Sequence, residues 1–267
     1  MSVEALHAGL GWAVASGLVA LSFATSFMAA AFGLGGGAVM LAVLATVLPA
    51  AAIIPIHGLV QLGSNAGRAA IMISHTHRAI LPTFLMGAGI GVALGGVLLV
   101  QLPAAAIRIG VGLFVLWSVF GTPPAFMNRS AGVAGGISSF LTMFFGATGP
   151  FVAAYLRTLS LPKDTHVATH SVLMTVQHLL KCVAFGLVGF AFAQWLPLIA
   201  ALIVAGFIGT LAGRAVLRRL DDDRFRRVLD IILIVLGLNL VTQGVAAATG
   251  LELSGLLSGT GVSGTGD

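Results

Sequence analysis

Apolar side chains follow one another in long continuous stretches along most of this chain. Eight stretches approach the roughly 20 residues that an α-helix needs to cross a bilayer. The strands of a membrane β-barrel alternate apolar and polar residues over only about 10 positions, which disfavours that class. The pattern therefore predicts an all-α polytopic membrane protein. The predicted helices cover residues 10–31, 56–73, 80–100, 105–120, 132–145, 165–187, 194–217 and 225–246.

Two further apolar segments, at 38–48 and 151–159, are shorter than the others. At 1.5 Å per residue, each covers about half of a hydrocarbon core that is roughly 30 Å thick. Each segment follows a glycine-rich break, at residues 33–37 and 146–150. The segments are predicted to be half-helices or arms of re-entrant hairpins, and whether they span or turn back is left open.

The composition agrees with a membrane protein. Hydrophobic residues make up 58% of the chain and charged residues 8%, whereas about a quarter of an ordinary soluble domain is charged. The net charge is +5, but the basic residues stand in short clusters between apolar runs, so no nucleic-acid partner is expected. The single cysteine, Cys182, excludes a disulfide scaffold.

The two ends and the loops give further expectations. Residues 1–11 contain no Lys or Arg, which indicates a retained first helix and not a cleaved signal peptide. Residues 250–267 are rich in Gly, Ser and Thr and are predicted to form a flexible tail. Basic loop residues mark the cytoplasmic side of a membrane protein. They place the loops with Arg78, with Arg129 and with Arg157 and Lys163, and the arginine-rich linker at 214–227, in the cytoplasm.

The chain also matches itself. At an offset of 113 residues, the first glycine break aligns with the second, His57 with His170, Asn65 with His178 and Arg68 with Lys181. An offset of 118 aligns Gly91 with Gly209 and Gly95 with Gly213. These matches predict two repeats, at residues 1–121 and 122–249. Each repeat holds an odd number of crossings, so the second would be inverted, as in many secondary transporters.

Two predicted helices carry polar stripes. His57, Gln61, Ser64 and Arg68 share one helix face, with Asn65 beside them, and His170, Met174, Gln177 and Lys181 share another, with His178 beside them. Polar groups inside a membrane usually face the protein interior or a wet cavity. Simpler alternatives stay open: Ser64 as an interhelical hydrogen-bond partner, Arg68 or Lys181 reaching towards the membrane surface, and the histidines as residues at helix ends.

The glycine breaks are candidate anion sites. A helix that begins inside the membrane directs unpaired N–H groups and a positive dipole end at its surroundings. Backbone or hydroxyl donors are expected at Gly35, Gly36, Gly37, Thr148 and Gly149, with Pro150 in a first helical turn. The alternative is that these glycines only permit close helix packing, which is the expected role of Gly95, Gly96, Gly135 and Gly136.

The candidate site is cationic and lacks a buried carboxylate, so a small anion is the expected substrate. The His pairs at 75 and 77 and at 166 and 170 lack a third ligand, and no nucleophile motif is present. No metal, no other cofactor, no catalytic residue and no enzymatic activity are therefore expected.

The two glycine breaks and the run from Thr169 to Lys181 resemble the sulfite exporter TauE/SafE family, also called the 4-toluene sulfonate uptake permease family. The resemblance extends to about residue 246. It implies a carrier in a bacterial or archaeal plasma membrane that moves sulfite, thiosulfate or an organosulfonate, with lipid around it and a homodimer as an open prediction. The second break reads Gly-Ala-Thr-Gly-Pro, which departs from the GxGGG pattern of the first.

The physical chemistry of the residues and the resemblance together predict one pocket, with proton coupling through His170 or His178 as a hypothesis. An anion channel and a carrier of a non-sulfur organic anion are the alternatives. The predicted substrate-binding residues are Gly35, Gly36, Gly37, His57, Gln61, Asn65, Arg68, Thr148, Gly149, His170, Gln177, His178 and Lys181.

Overall fold

The computed structural model describes residues 7–32, 35–99, 103–122, 124–216 and 222–249. All regular secondary structure in these ranges is helical. The α-helices are α1 (Trp12–Phe32), α2 (Gly36–Val47), α3 (Ala50–Met72), α4 (Leu81–Leu99), α5 (Ala104–Phe120), α6 (Ala131–Phe145), α7 (Gly149–Thr158), α8 (Lys163–Leu187), α9 (Leu196–Val216) and α10 (Asp222–Thr249).

The helices are those of a polytopic membrane protein, as the sequence predicts. Four segments within the described ranges are long and apolar enough to cross a bilayer: Trp12–Ala31, Arg78–Leu98, Ala193–Ala215 and Asp230–Thr249. Many of their large apolar side chains face outward, including Val97, which is 79% exposed. Such exposure is expected where lipid is the surrounding solvent.

Three helices form the centre of the molecule. The short helix α2 is apolar all round, and its middle residues Leu41, Ala42, Leu44 and Ala45 are fully buried, as expected of a helix enclosed by others. Helices α3 and α8 pack against each other. They have 23 and 25 residues, or about 35–38 Å at 1.5 Å per residue, which is enough to cross the core.

The outer helices pack in pairs that join the two halves of the chain: α1 with α9, α4 with α6, and α5 with α10. Close approach is possible because glycines lie at the contacts. A Cβ on Gly91 would overlap the Gly136 carbonyl, and one on Gly209 would overlap the Phe23 carbonyl. The packing role predicted for Gly95 and Gly135 is confirmed.

The contacts also define helix directions. Gly209 and Gly213 of α9 lie against Phe23 and Phe27 of α1, so the two helices run parallel. Gly87 and Gly91 of α4 lie against Gly132 and Gly136 of α6, so α4 and α6 are also parallel. In contrast, α5 and α10 run antiparallel, and so do α3 and α8, because His57 faces His178 while Met72 lies with Val167.

Several predicted boundaries are wrong. Helix α3 begins at Ala50, not at 56, and continues through Pro55; neighbouring helices allow such a proline inside a membrane protein. The two short helices begin two residues earlier than predicted, at Gly36 and Gly149. A Cβ on Gly96 would have no neighbour within 4 Å, so the packing role expected for this glycine is wrong. The tail predicted at 250–267 lies outside the described residues.

Candidate substrate site

The antiparallel helices α3 and α8 bring the two polar stripes together. His57 of α3 and His178 of α8 meet edge to face, with their ring centroids 5.9 Å apart. The positive charge of Lys181 acts on both rings. Gly58 makes room for the lysine, since a Cβ there would lie 2.7 Å from Lys181 Cε. We call His57, His178 and Lys181 the Lys181 cluster.

Lys181 is fully buried, at 0% exposure. Its ammonium group donates to Thr142 Oγ1 and to the Gly146 carbonyl, each at 3.3 Å. Both acceptors are neutral, and they lie at the C-terminal end of α6, where a positive charge is favoured. The sequence has no Asp or Glu between residues 5 and 163. Asp164 precedes Lys181 by 17 residues on the same helix, a separation of about 25 Å.

Each short helix is held by a histidine from a central helix. His57 Nε2 lies 3.0 Å from the Gly37 carbonyl, and His170 Nε2 lies 3.2 Å from the Gly149 carbonyl. A carbonyl only accepts hydrogen bonds, so Nε2 carries the proton in both rings. Nδ1 of His57 is buried without a partner among the described residues. It can therefore accept a proton or a hydrogen bond.

The first turn of α7 is enclosed by a chain of neutral side chains. Gln177 Nε2 donates to Thr148 Oγ1 at 2.5 Å, and Ser138 Oγ donates to Gln177 Oε1 at 3.2 Å. At the first turn of α2, the amide of Gln61 takes the place that a side chain on Gly37 would occupy. Both breaks are thus lined by a glutamine from a central helix.

A second cationic group lies at the other end of the α3–α8 pair. Arg68 Nη1 donates to Asn65 Oδ1 at 3.4 Å, and Asn65 Nδ2 donates to the Gln61 carbonyl at 2.8 Å. Arg68 precedes Met72 by four residues and His170 follows Val167 by three, so the contact of Met72 with Val167 places Arg68 and His170 at nearly the same level of the antiparallel pair. Arg68 is only 5% exposed, and its Nε has no partner in the described part of the chain. We call Arg68, Asn65 and His170 the Arg68 cluster.

The predicted residues therefore fall into two groups. His57 and Arg68 are 11 residues apart on α3, and His170 and Lys181 are 11 apart on α8. Because 11 residues of α-helix rise by about 16 Å, the backbone positions of the two members of each pair lie about that far apart along the helix axis. The thirteen predicted residues are thus spread along the α3–α8 pair and the two breaks, and their contact with one anion stays a prediction.

The glycines of the first break differ in role. Gly35 has φ +92° and permits the turn between α1 and α2. A Cβ on Gly36 would overlap the Thr25 carbonyl, so Gly36 allows α1 and α2 to touch. Ser64 shares a 3.0 Å hydrogen bond with Ser26 of α1, which is the interhelical contact considered for it above.

The predicted set of site residues omits Ser138, Thr142 and Gly146. Ser138 is hydrogen-bonded to Gln177, and Thr142 and Gly146 accept hydrogen bonds from Lys181. The signal was present, since Ser138 and Thr142 stand four apart on a short apolar helix and so share a face. Among the described residues, no three His, Cys, Asp or Glu side chains are grouped to hold a metal ion.

Comparison with protein families identifies the chain. Residues 18–240 match the family described as Sulfite exporter TauE/SafE. The chain belongs to the TauE/SafE family. It is a multi-pass membrane protein of a family that transports sulfur-containing anions. Neither a curated protein nor a solved structure matched the chain.

Proposed function

We propose that this TauE/SafE protein is a secondary transporter that carries a small sulfur-containing anion, namely sulfite, thiosulfate or an organosulfonate. The observation that carries the proposal is Lys181, a fully buried lysine whose partners are neutral. A charge buried without a counter-ion is costly. An anion bound beside it would offset that cost, and a cation would increase it.

The proposed binding residues are those of the two central helices and of the two breaks. The N–H groups of Gly36 and Gly37 at the start of α2 and of Gly149 at the start of α7 donate no hydrogen bond among the described residues, and anions suit such positions. Gln61 and Gln177 lie beside these turns. Lys181 and Arg68 supply positive charge, and His57, His170 and His178 lie within reach of those charges.

Alternating access is proposed from the arrangement of the helices. Residues 1–121 and 122–249 would form two inverted repeats with α3 matching α8 and α5 matching α10. Both of these pairs run antiparallel, as inversion requires. The contact of α1 with α9 has its counterpart in the contact of α6 with α4. Two such halves can exchange conformations and expose the site to each side in turn.

The proposed location is the bacterial inner membrane, with the loops that carry Arg78, Arg129, Arg157 and Lys163 in the cytoplasm. These four side chains are exposed at the ends of helices. A homodimer stays a prediction.

Proton coupling is part of the proposal, with His170 or His178 as the proton carrier. A pH-jump flux assay on His178→Ala and His170→Ala tests it. Loss of proton-dependent flux in one variant, with binding retained, is the expected result. Unchanged proton dependence in both variants would remove proton coupling through these residues.

The substrate test is binding to purified protein in detergent, by calorimetry and thermal shift, with sulfite, thiosulfate, sulfate, sulfoacetate, taurine and acetate. A sulfur oxyanion or sulfonate is expected to bind selectively to the wild type and to Lys163→Met, and its binding at the Lys181 cluster should be at least about tenfold weaker in Lys181→Met. Preference for acetate would favour a carrier of a non-sulfur organic anion. Single-channel currents in planar bilayers would favour an anion channel.

A further inference from the structure

The Arg68 cluster has the composition of an anion site of its own. Arg68 is 5% exposed and lies on α3 four residues before its last residue, Met72. No Asp or Glu occurs between residues 5 and 163 or between 165 and 220, and among the described residues the guanidinium of Arg68 donates to the neutral amide oxygen of Asn65. A guanidinium does not lose its charge in proteins, so this end of the helix pair keeps a buried positive charge.

The guanidinium also has an unused hydrogen-bonding edge. Nη1 donates to Asn65 Oδ1, and Nε has no partner among the described residues. The planar fork of arginine matches oxyanions, which accept two parallel N–H groups. The His170 ring lies at nearly the same level of the α3–α8 pair as Arg68 and is fixed against the Gly149 carbonyl. It lies at the start of α7, where the Gly149 N–H has no hydrogen-bond partner among the described residues and favours negative charge, while Pro150 has no N–H and the Phe151 N–H donates to the Thr148 carbonyl.

We propose that the Arg68 cluster is a second oxyanion-binding site, separate from the Lys181 cluster and occupied at the same time by another anion of the same class. This inference rests on the proposed function for the identity of the anion. Lys181 packs against Gly58, and the ten residues from Gly58 to Arg68 rise by about 15 Å along α3, a length well beyond that of one sulfite or thiosulfate ion.

The two sites are equivalent by sequence. At the offset of 113 residues, His57 corresponds to His170 and Arg68 to Lys181. Each site then has one histidine bonded to a carbonyl in the first turn of a short helix, and one buried cation at nearly the same level of the α3–α8 pair. Gln61 and Gln177 lie between the clusters along the helix axes. An anion could pass between two sites of moderate affinity without being trapped at one deep site.

Equilibrium dialysis of the purified protein against radioactive sulfite tests this proposal. The wild type is expected to bind two sulfite ions per chain. Arg68→Gln and Lys181→Gln are each expected to bind one, and the double variant none. Asn65→Asp is the second variant at the Arg68 cluster. It keeps the size of residue 65, places a carboxylate beside Arg68 and should also reduce the stoichiometry to one. Arg78→Gln, at an exposed loop arginine, is the matched control and should bind two.

The outcomes separate the two proposals. One sulfite per chain in the wild type, abolished by either single substitution, would overturn the second site. A wild type that binds no sulfite would overturn it as well. Two bound ions per chain without any sulfite flux in proteoliposomes would support the second site and contradict the proposed transport. If Arg68 were purely structural, Arg68→Lys would leave the sulfite affinity unchanged. We expect Arg68→Lys instead to retain sulfite binding at this site with an affinity about tenfold lower.

Discussion

Lys181 is buried among neutral groups, and this arrangement sets it apart from a lysine that stabilises the fold. Its two acceptors, Thr142 Oγ1 and the Gly146 carbonyl, are already joined by a 2.7 Å hydrogen bond. They therefore stay paired if the ammonium group is removed. The lysine is consequently expected to reduce the stability of the protein without bound anion and to serve anion binding.

Lys181→Met separates these two roles. Methionine keeps the length of the apolar stem and removes the buried charge. We expect transport to fall by about a hundredfold, while the free energy of unfolding stays unchanged or rises by about 1–4 kcal/mol. Thermal unfolding in detergent and flux in proteoliposomes measure the two effects. A large fall in the unfolding temperature would show that the lysine acts as a cap of α6.

The sequence predicted which polar residues share a helix face, but not how these residues divide between the Lys181 cluster and the Arg68 cluster. The spacing of His57, Gln61, Ser64 and Arg68 correctly places them along one region of a helix, because 3.6 residues make a turn. The same stripe extends along the helix by about 16 Å. Spacing reports the face of a helix and not which residues of another helix lie opposite each point along it. The division into two clusters therefore required the packing of α3 on α8.

At the scale of the elements, glycine determines how closely helices approach. Gly89 and Gly91 lie two residues apart on α4. A Cβ on Gly91 would overlap the Gly136 carbonyl and lie 2.9 Å from Phe140 N, whereas Gly89 has open space around it. The two positions form a matched pair, because both glycines lie in the same helix and the same substitution by alanine can be made at each.

Gly91→Ala is expected to destabilise the protein by about 1–3 kcal/mol, because α4 and α6 must separate to admit the methyl group. Gly89→Ala should be neutral or stabilising by up to about 1 kcal/mol, since alanine favours a helix over glycine. Thermal unfolding of the two variants in the same detergent measures the difference. Equal unfolding temperatures would contradict the close packing of α4 on α6.

The element boundaries show what local signals miss. Pro55 and the apolar residues before it carried no helix signal, yet α3 begins at Ala50 because its first turns are enclosed by neighbouring helices. The first turn of α2 holds Gly36 and Gly37, although glycine is a poor helix former. Packing against Thr25 and Gln61 leaves no room for larger side chains there. The glycine break predicted the start of α2 to within two residues, and tertiary contacts determined the exact first residues of α2 and α3.

At the scale of the whole molecule, inversion of the two halves makes a prediction about sidedness. Ser74 follows α3 and Ala191 follows α8, and both are exposed. If α3 and α8 are matching helices of inverted repeats, these two positions lie on opposite sides of the membrane. If the repeats had the same orientation, both would lie on one side.

Single cysteines at Ser74 and Ala191, in a Cys182→Ser background that retains transport, test this prediction. A membrane-impermeant maleimide added to intact cells is expected to label residue 191 and to label residue 74 only after the cells are opened. The Cys182→Ser protein without further cysteines is the control. Labelling of both positions from the same side would contradict the inverted arrangement.

Transport of a sulfur oxyanion through the site at Lys181 is the central feature of the function proposed for this protein. The most direct measurement is counterflow of radioactive sulfite in proteoliposomes that contain the wild type, Lys181→Met or the exposed-lysine control Lys163→Met. We expect saturable counterflow with the wild type and the control, inhibition by thiosulfate or sulfonates, and loss of counterflow with Lys181→Met. Sulfite counterflow that persists in Lys181→Met, or that is absent from the wild type, would contradict the account.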